Sequence, residues 1–244
     1  MRARRYLYAL HLFILVIATG SPMRAQYLDL LRERIAHYPF SEDARDISGF
    51  DNHGLVKGAI LTEDYLGGEG GAYYFDGLDD YINCGSNMEV LSSAVSVTCW
   101  IKTDNTKENS HIVSKYDFSS DAGFILGTQD GLAKWAGRMG TGQFIRMTSG
   151  TRIDDNQWHC LVGVVDEDTW SLYVDGFLEN QVQTGAETTD LSSSASLTIG
   201  YYFKGDDGDH RFYKGSIDNV IIYRRALNEC ELNILFTGEP YEAR

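Results

Sequence analysis

The chain has 244 residues, 43% hydrophobic and 23% charged, with a formal net charge of −14. That much apolar side chain fills a core and excludes a disordered chain, and the length suits a single all-β domain. The excess of acid repels phosphate backbones and argues against a nucleic-acid partner, while it suits a metal cation or a neutral ligand.

Arg2, Arg4 and Arg5 precede an apolar run from Tyr6 to Ala18, and the small residues Gly20, Ser21 and Ala25 follow. This layout predicts a secretory signal peptide over residues 1–25. The apolar run is shorter than the roughly 20 residues a membrane span needs, and no second one follows. The expected mature product is one domain, residues 26–244, secreted to an extracellular or periplasmic space and without a membrane span. It keeps Cys84, Cys99, Cys160 and Cys230. An even count in an exported chain predicts two disulfides, and the absence of a Cys-x-x-Cys pair argues against a zinc ribbon.

Leu28, Leu31 and Ile35 fall at helical spacing and predict a short helix from Tyr27 to Ile35. Between Pro39 and Pro240 there is no proline, and glycines punctuate the stretch, which fits many strands joined by turns. Val95, Val97, Cys99 and Ile101 alternate with Ser96, Thr98 and Trp100. A second run places Trp158, Cys160, Val162 and Val164 on one parity, and a third does so with Trp170, Leu172 and Val174. Asp130-Gly131 and Asp175-Gly176 are hairpin-turn signals. Leu197–Gly200 and Ile217–Tyr223 add strands. Asn228 followed three residues later by Glu231 predicts a capping box opening a short C-terminal helix. The fold class read from this pattern is all-β: a two-sheet antiparallel jelly-roll sandwich with short N- and C-terminal helices.

Four blocks then carry a resemblance. They are "AHYPFSEDARDISGFDNHG", "AYYFDGLDDYINCG", "QWHCLVGVVDEDTWSLYVDG" and "FYKGSIDNVIIYRRALNECEL". In this order they resemble the laminin G-like jelly-roll domains of the concanavalin A-like superfamily, a branch that includes pentraxins, over residues 36–236. The resemblance implies a sandwich that serves as a sugar-binding or adhesion module. Its likeness to the pentraxin disulfide implies Cys99–Cys160 and with it Cys84–Cys230; the sequence on its own leaves three connectivities open.

The loop "DARDISGFDNHG" gathers Asp46, Asp51 and Asn52, with Gly49 and Gly54 free to turn carbonyls inward, a composition that suits one structural Ca²⁺. The resemblance implies Asp218 as a further ligand. The same loop also reads as Asx turns whose acids cap backbone amides without metal. Asp206, Asp207 and Asp209 read as a solvated hairpin tip.

Catalytic signatures are missing. A retaining glucanase needs two carboxylates about 5–5.5 Å apart, and no strand carries acids at that spacing. Gly-x-Ser-x-Gly and His-Glu-x-x-His are both absent. For ligand contact the best candidates are Tyr201, Tyr202, Phe203 and Phe212 around the loop 205–210, with Trp135 as a second; the competing reading packs these aromatics in the core. The expected function is a secreted, calcium-stabilised carbohydrate-binding module, not an enzyme, whose partners are glycans or cell-surface and extracellular polymers. The alternatives are a protein-binding adhesion module and a polysaccharide-degrading enzyme of the same fold.

Overall fold

The computed structural model describes residues 29–90, 93–106, 109–117, 122–138, 143–185, 191–202 and 211–238. Its strands, in chain order, begin with β1 (Arg34–Tyr38), β2 (Leu55–Lys57), β3 (Ile60–Thr62), β4 (Ala72–Asp76) and β5 (Tyr81–Asn83). There follow β6 (Ala94–Lys102), β7 (Ser110–Asp117), β8 (Ala122–Gln129), β9 (Leu132–Arg138) and β10 (Phe144–Arg152). The last are β11 (Trp158–Asp166), β12 (Thr169–Val174), β13 (Phe177–Gln183), β14 (Thr198–Ile199) and β15 (Lys214–Tyr223). One sheet runs β13-β12-β11-β6-β15-β4-β3, with β1 also paired to β15; the other runs β10-β9-β8-β7-β14-β5-β2. Every ladder is antiparallel.

The chain divides into two compact units. Glu33–Leu227 is the sandwich; the other comprises the chain ends, described for residues 29–32 and 228–238. In the second unit α1 (Glu229–Thr237) opens with the expected capping box. The Asn228 side chain accepts from the Glu231 backbone N–H at 3.1 Å, and the Glu231 carboxylate accepts from the Asn228 N–H at 2.9 Å. Gly238 closes the helix in the left-handed region, φ 72°.

Alternation builds the sandwich core. Val95, Val97, Cys99 and Ile101 of β6 and Leu161 and Val165 of β11 point inward from the first sheet, while Phe124, Leu126, Trp135, Ile145 and Met147 point inward from the second. Trp135 and Trp170 meet across the sheets with ring centroids 5.5 Å apart. Gly163 leaves the space that Trp135 fills, since a Cβ there would come within 2.4 Å of the indole ring. Both predicted Asp-Gly hairpins form, with φ 55° and 78° at Asp130-Gly131 and 52° and 80° at Asp175-Gly176.

Two expectations are corrected. Residues 31–33 form a turn, and Arg34 and Ile35 belong to β1, so no helix spans Tyr27 to Ile35 among the described residues. The upper edge of β15 needs a hydrogen-bonded partner, and residues 34–38 supply it by pairing with Val220–Tyr223; that tertiary demand overrides the helical spacing. The four cysteines are free thiols. The Cys99–Cys160 pair fails on register. Cys99 lies opposite Leu161 and faces the core, whereas Cys160 lies opposite Trp100 and faces outward. One residue of offset puts the two sulfurs on opposite faces of the sheet. Cys84 and Cys230 are likewise unbonded. Burial pushes the Cys84 thiol up to about 12.

The Trp-His strand and the Val-Asp-Gly hairpin are one device. Asp175 at the turn accepts the Cys160 backbone N–H at 2.8 Å, and the His159 ring lies 2.7 Å from its second oxygen. The other ring nitrogen lies 3.1 Å from Asp155. The hydrogen bond to Asp175 raises the His159 pKa against the opposing effect of burial, and Asp155 adds to it. A His whose folded pKa exceeds its unfolded 6.5 stabilises fully below 6.5 and loses that contribution as pH rises through the folded value. Replacing His159 by Gln is therefore expected to cost most stability at pH about 5.5 and less at about 9. Urea unfolding of both proteins at the two pH values measures it; a deficit that grows with pH refutes the assignment.

Candidate functional site

The second sheet separates charge in an unusual way. Its seven strands carry Lys57, Lys115, Lys134, Arg138, Arg146 and Arg152 and a single acid, Asp117. The chain as a whole has 35 acids against 21 cations. Acids sit instead on the first sheet and in loops.

Register then sorts these residues by face. On β9, Ala133 and Trp135 point inward, so Lys134, Ala136 and Arg138 point outward. On β10 the outward set is Phe144, Arg146 and Thr148. Three rows cross the outer face: His111–Gly127–Lys134–Thr148, Ser114–Ile125–Ala136–Arg146 and Tyr116–Gly123–Arg138–Phe144. A bulge between His111 and Val113 turns the His111 ring outward opposite Gly127.

The floor of this face is apolar. Tyr116, Ile125, Ala136 and Tyr202 form a buried cluster separate from the main core. Phe144, 37% exposed, meets Tyr116 edge-on at 6.2 Å. Toward β5 the aromatics continue: Tyr81 lies 5.3 Å from Tyr201, and Tyr201 stacks on Phe212 at 4.4 Å. Lys57 stands over the Tyr81 ring at 5.1 Å.

The cations lie along the same face. Arg138 and Arg146 both sit over the Phe144 ring, at 5.7 and 5.6 Å. Lys134 is buried, and its ammonium donates to Asn109 Oδ1 at 2.9 Å. Burial, with Arg211 and Arg146 nearby, lowers its pKa to about 7. His111 is 1% exposed, its ring 4.9 Å from that of Tyr202. Neither of its ring nitrogens has a hydrogen-bond partner. Burial, then Lys134 and Arg211, hold it well below its ordinary pKa, so it is neutral. Such an arrangement stacks flat apolar ring faces and binds oxyanions.

Of the ligand residues expected from sequence, Tyr201, Tyr202 and Phe212 lie on or beside this face, and Phe203 and the loop 205–210 lie outside the described residues. Trp135 is corrected: it is fully buried between Phe124 and Trp170 and reaches no ligand. His111, Lys134, Arg138, Arg146 and Arg211 were missed. The signal for three of them was present in "LAKWAGR" and "FIRM", where cations alternate with core residues.

The loop 46–54 is built differently from the expected metal site. Asp46 Oδ1 accepts the His37 and Ser48 N–H groups, each at 2.8 Å, and Oδ2 accepts the Ser48 hydroxyl at 2.8 Å and the Asn52 N–H at 3.0 Å. Asn52 donates to the Ile35 carbonyl, and its own carbonyl accepts the Tyr38 hydroxyl. The Asp51 side chain is 88% exposed at φ 57°. Asp218 lies on the outer face of the first sheet, where it accepts the Tyr65 N–H at 3.4 Å and Tyr65 stacks on Trp100 at 4.3 Å. The structure thus joins Asp46 to Asn52 only. With all four lone-pair sites of Asp46 engaged by protein donors, these residues as placed do not fit a calcium ion. Three other acids do converge, Asp76, Asp79 and Asp80, with ligand atoms within 4.8 Å of one another. Among them Asp80 accepts the Asp76 N–H at 2.9 Å.

The first sheet has its own groove, about 380 Å³, between Tyr74 and Trp158 and floored by Lys102 and Ser216. Its charge is mixed, and Lys214 pairs with Asp104 at 3.1 Å.

Residues 75–233 match the model of the concanavalin A-like lectin/glucanases superfamily. The chain belongs to that superfamily. No curated protein matches the sequence. Among solved structures, the binding domain of Paraclostridial Mosquitocidal Protein 1 superposes with TM-score 0.69 at 18% identity, over 86% of this chain and 53% of that one. The ligand binding domain of botulinum neurotoxin serotype D in complex with N-acetylneuraminic acid gives 0.67 at 16%, over 87% and 52%. Domain 4 of AbnA, a GH43 extracellular arabinanase from Geobacillus stearothermophilus, in complex with arabinotriose, gives 0.64 at 20%, over 83% and 98%. The chain thus spans about half of the toxin domains and nearly all of the arabinanase domain. These likenesses show the jelly-roll fold. No described helix is long and apolar enough to cross a membrane.

Two stability experiments follow from the geometry. Asp46→Ala is expected to cost about 3 kcal/mol, since it strands buried donors, and to cost the same with calcium or with EDTA; a loss confined to calcium would restore Asp46 as a ligand. Lys134 works the other way. Its folded pKa of about 7 lies below the ordinary 10.5, so its burial penalty is nil above 10.5 and grows as pH falls toward 7. Lys134→Met is expected to be more stable than wild type near pH about 7, with the difference vanishing toward pH 10.5. Urea unfolding across that range tests it, and a less stable variant at pH about 7 makes Lys134 a structural cation.

Proposed function

We propose that this protein is a secreted, non-catalytic carbohydrate-binding module whose sugar docks on the outer face of the second sheet. The observation that carries the reading is the aromatic floor on the side of that sheet away from the core, ending in the exposed ring of Phe144. Sugar rings present C–H faces to aromatic rings and hydroxyls to flanking polar groups, and this face offers both. The sialic acid and arabinotriose complexes of two structural relatives support it. The signal-peptide layout read in the sequence at residues 1–25 supports export to where such polymers occur. No strand carries alternate acids of the glucanase kind, which favours binding over cleavage.

A glycan array probed with the purified chain tests the reading. Phe144→Ala is expected to weaken the best glycan about tenfold while changing unfolding free energy by less than about 1 kcal/mol. Absence of any glycan binding, with a protein partner captured on the same face, makes the module an adhesion domain instead.

A further inference from the structure

We infer that the sugar taken by this face is acidic: its carboxylate or sulfate is held by Arg146 and Lys134, with His111 beside them. The inference deepens the reading above and rests on it. Three observations carry it together.

The first is geometric. Arg146 lies opposite Ala136 and is therefore flanked on the neighbouring strand by Lys134, one step along the same face. Gly127 separates Lys134 from His111, and no side chain rises between them. A Cβ at Gly127 would come within 3.3 Å of Lys134 Cε. The Lys134 side chain therefore packs over Gly127, and Lys134 and His111 are buried side by side across it.

The second is the state of these groups. Lys134 has one neutral partner, Asn109, and Arg146 stands over Phe144; among the described residues no carboxylate pairs with either. Lys214, by contrast, pairs with Asp104 at 3.1 Å. A buried cation left without an anion is costly unless an anion arrives.

The third is His111. It is buried, its two ring nitrogens lack partners, and its side chain points onto the face. A buried imidazole with no hydrogen bond loses solvation without return, and a hydroxyl or carboxylate of a ligand supplies the missing partner. Guanidinium and ammonium donors on one side with an imidazole on the other suit a sugar that carries one oxyanion and several hydroxyls.

The test is calorimetric titration of the full chain with matched pairs: oligogalacturonate and its methyl ester, sialyllactose and lactose, a heparin oligosaccharide and its desulfated form. At least one acidic member is expected to bind about tenfold tighter than its neutral partner, a difference that shrinks as salt rises. The pair that responds tells carboxylate from sulfate. Arg146→Gln, on an exposed side chain, and Lys134→Met should each remove most of that preference while the thermal midpoint stays at or above wild type. An anion beside Lys134 raises its pKa from about 7, so binding at pH about 8 should take up a proton in wild type and not in Lys134→Met. Equal affinity for acidic and neutral members overturns the inference and leaves the sugar reading standing. An acidic preference untouched by both substitutions also overturns it. No binding to any sugar removes the reading and the inference together.

Discussion

The ten residues of β15 must find hydrogen-bond partners along both edges, and the sandwich is arranged around how they do so. One edge pairs with β6 along Ser216–Asp218 and Ile221–Tyr223; the other is shared, by β4 along Lys214–Ile217 and by β1 along Val220–Tyr223. Between the two halves the register slips at Asp218–Ile221, and Asn219 takes a left-handed φ of 49°. The Asn219 side chain lies 3.0 Å from His37 Nε2, and the His37 backbone N–H is held by Asp46. The kink in the central strand, the position of β1 and the fold of the 46–54 loop are therefore one structure. Asp46 is the hinge pin of that arrangement, a role that uses its oxygens fully.

Much of this was legible. Hairpins at Asp130-Gly131 and Asp175-Gly176 need left-handed backbone, and their sequence states it locally; the capping box of Asn228 and Glu231 is equally local. The inward parity of β6 was legible because its other face carries Ser96 and Thr98. On β11 the signal fails, because Cys160, Val162 and Val164 are as buried as Leu161 and Val165. A strand apolar on both faces does not reveal which parity meets the core. The cysteine pairing was carried over from the resemblance to the pentraxin disulfide, and that degeneracy left nothing in the sequence of β11 to contradict it. The calcium loop was misread for a different reason: carboxylates at a sharp turn have the same sequence whether they serve metal or backbone amides, and only the positions of the donors decide.

Charge is the property that sequence counting hid. A net charge of −14 describes the average surface and was read as suiting a metal cation or a neutral ligand. Yet alternation divides each strand between two faces, so a sheet can carry one sign outward whatever the total. The strands β7 to β10 are Gly-, aromatic- and cation-rich with Asp117 as their only acid; of the site residues that were missed, Lys134, Arg138 and Arg146 come from β9 and β10 and the neutral His111 from the bulge of β7. An acidic remainder also has a consequence for approach. If the cation-bearing face takes an anionic polymer as proposed, that remainder would help orient encounter as well.

The same reasoning separates function from architecture at this face. Several buried polar groups elsewhere in the sandwich are matched: Lys115 donates to the Ala195 carbonyl at 2.7 Å, Ser110 meets Thr128 at 2.6 Å, and Asp175 takes both His159 and the Cys160 amide. Matching of that kind holds a fold together, and removing a member weakens it. His111 and Lys134 break the pattern, one with no partner and one with a single neutral partner against repulsion from Arg211 and Arg146. A fold gains nothing by keeping them so, and a hydrophobic pair of the same volume would pack there at lower cost. What such a pair would not do is hold an oxyanion.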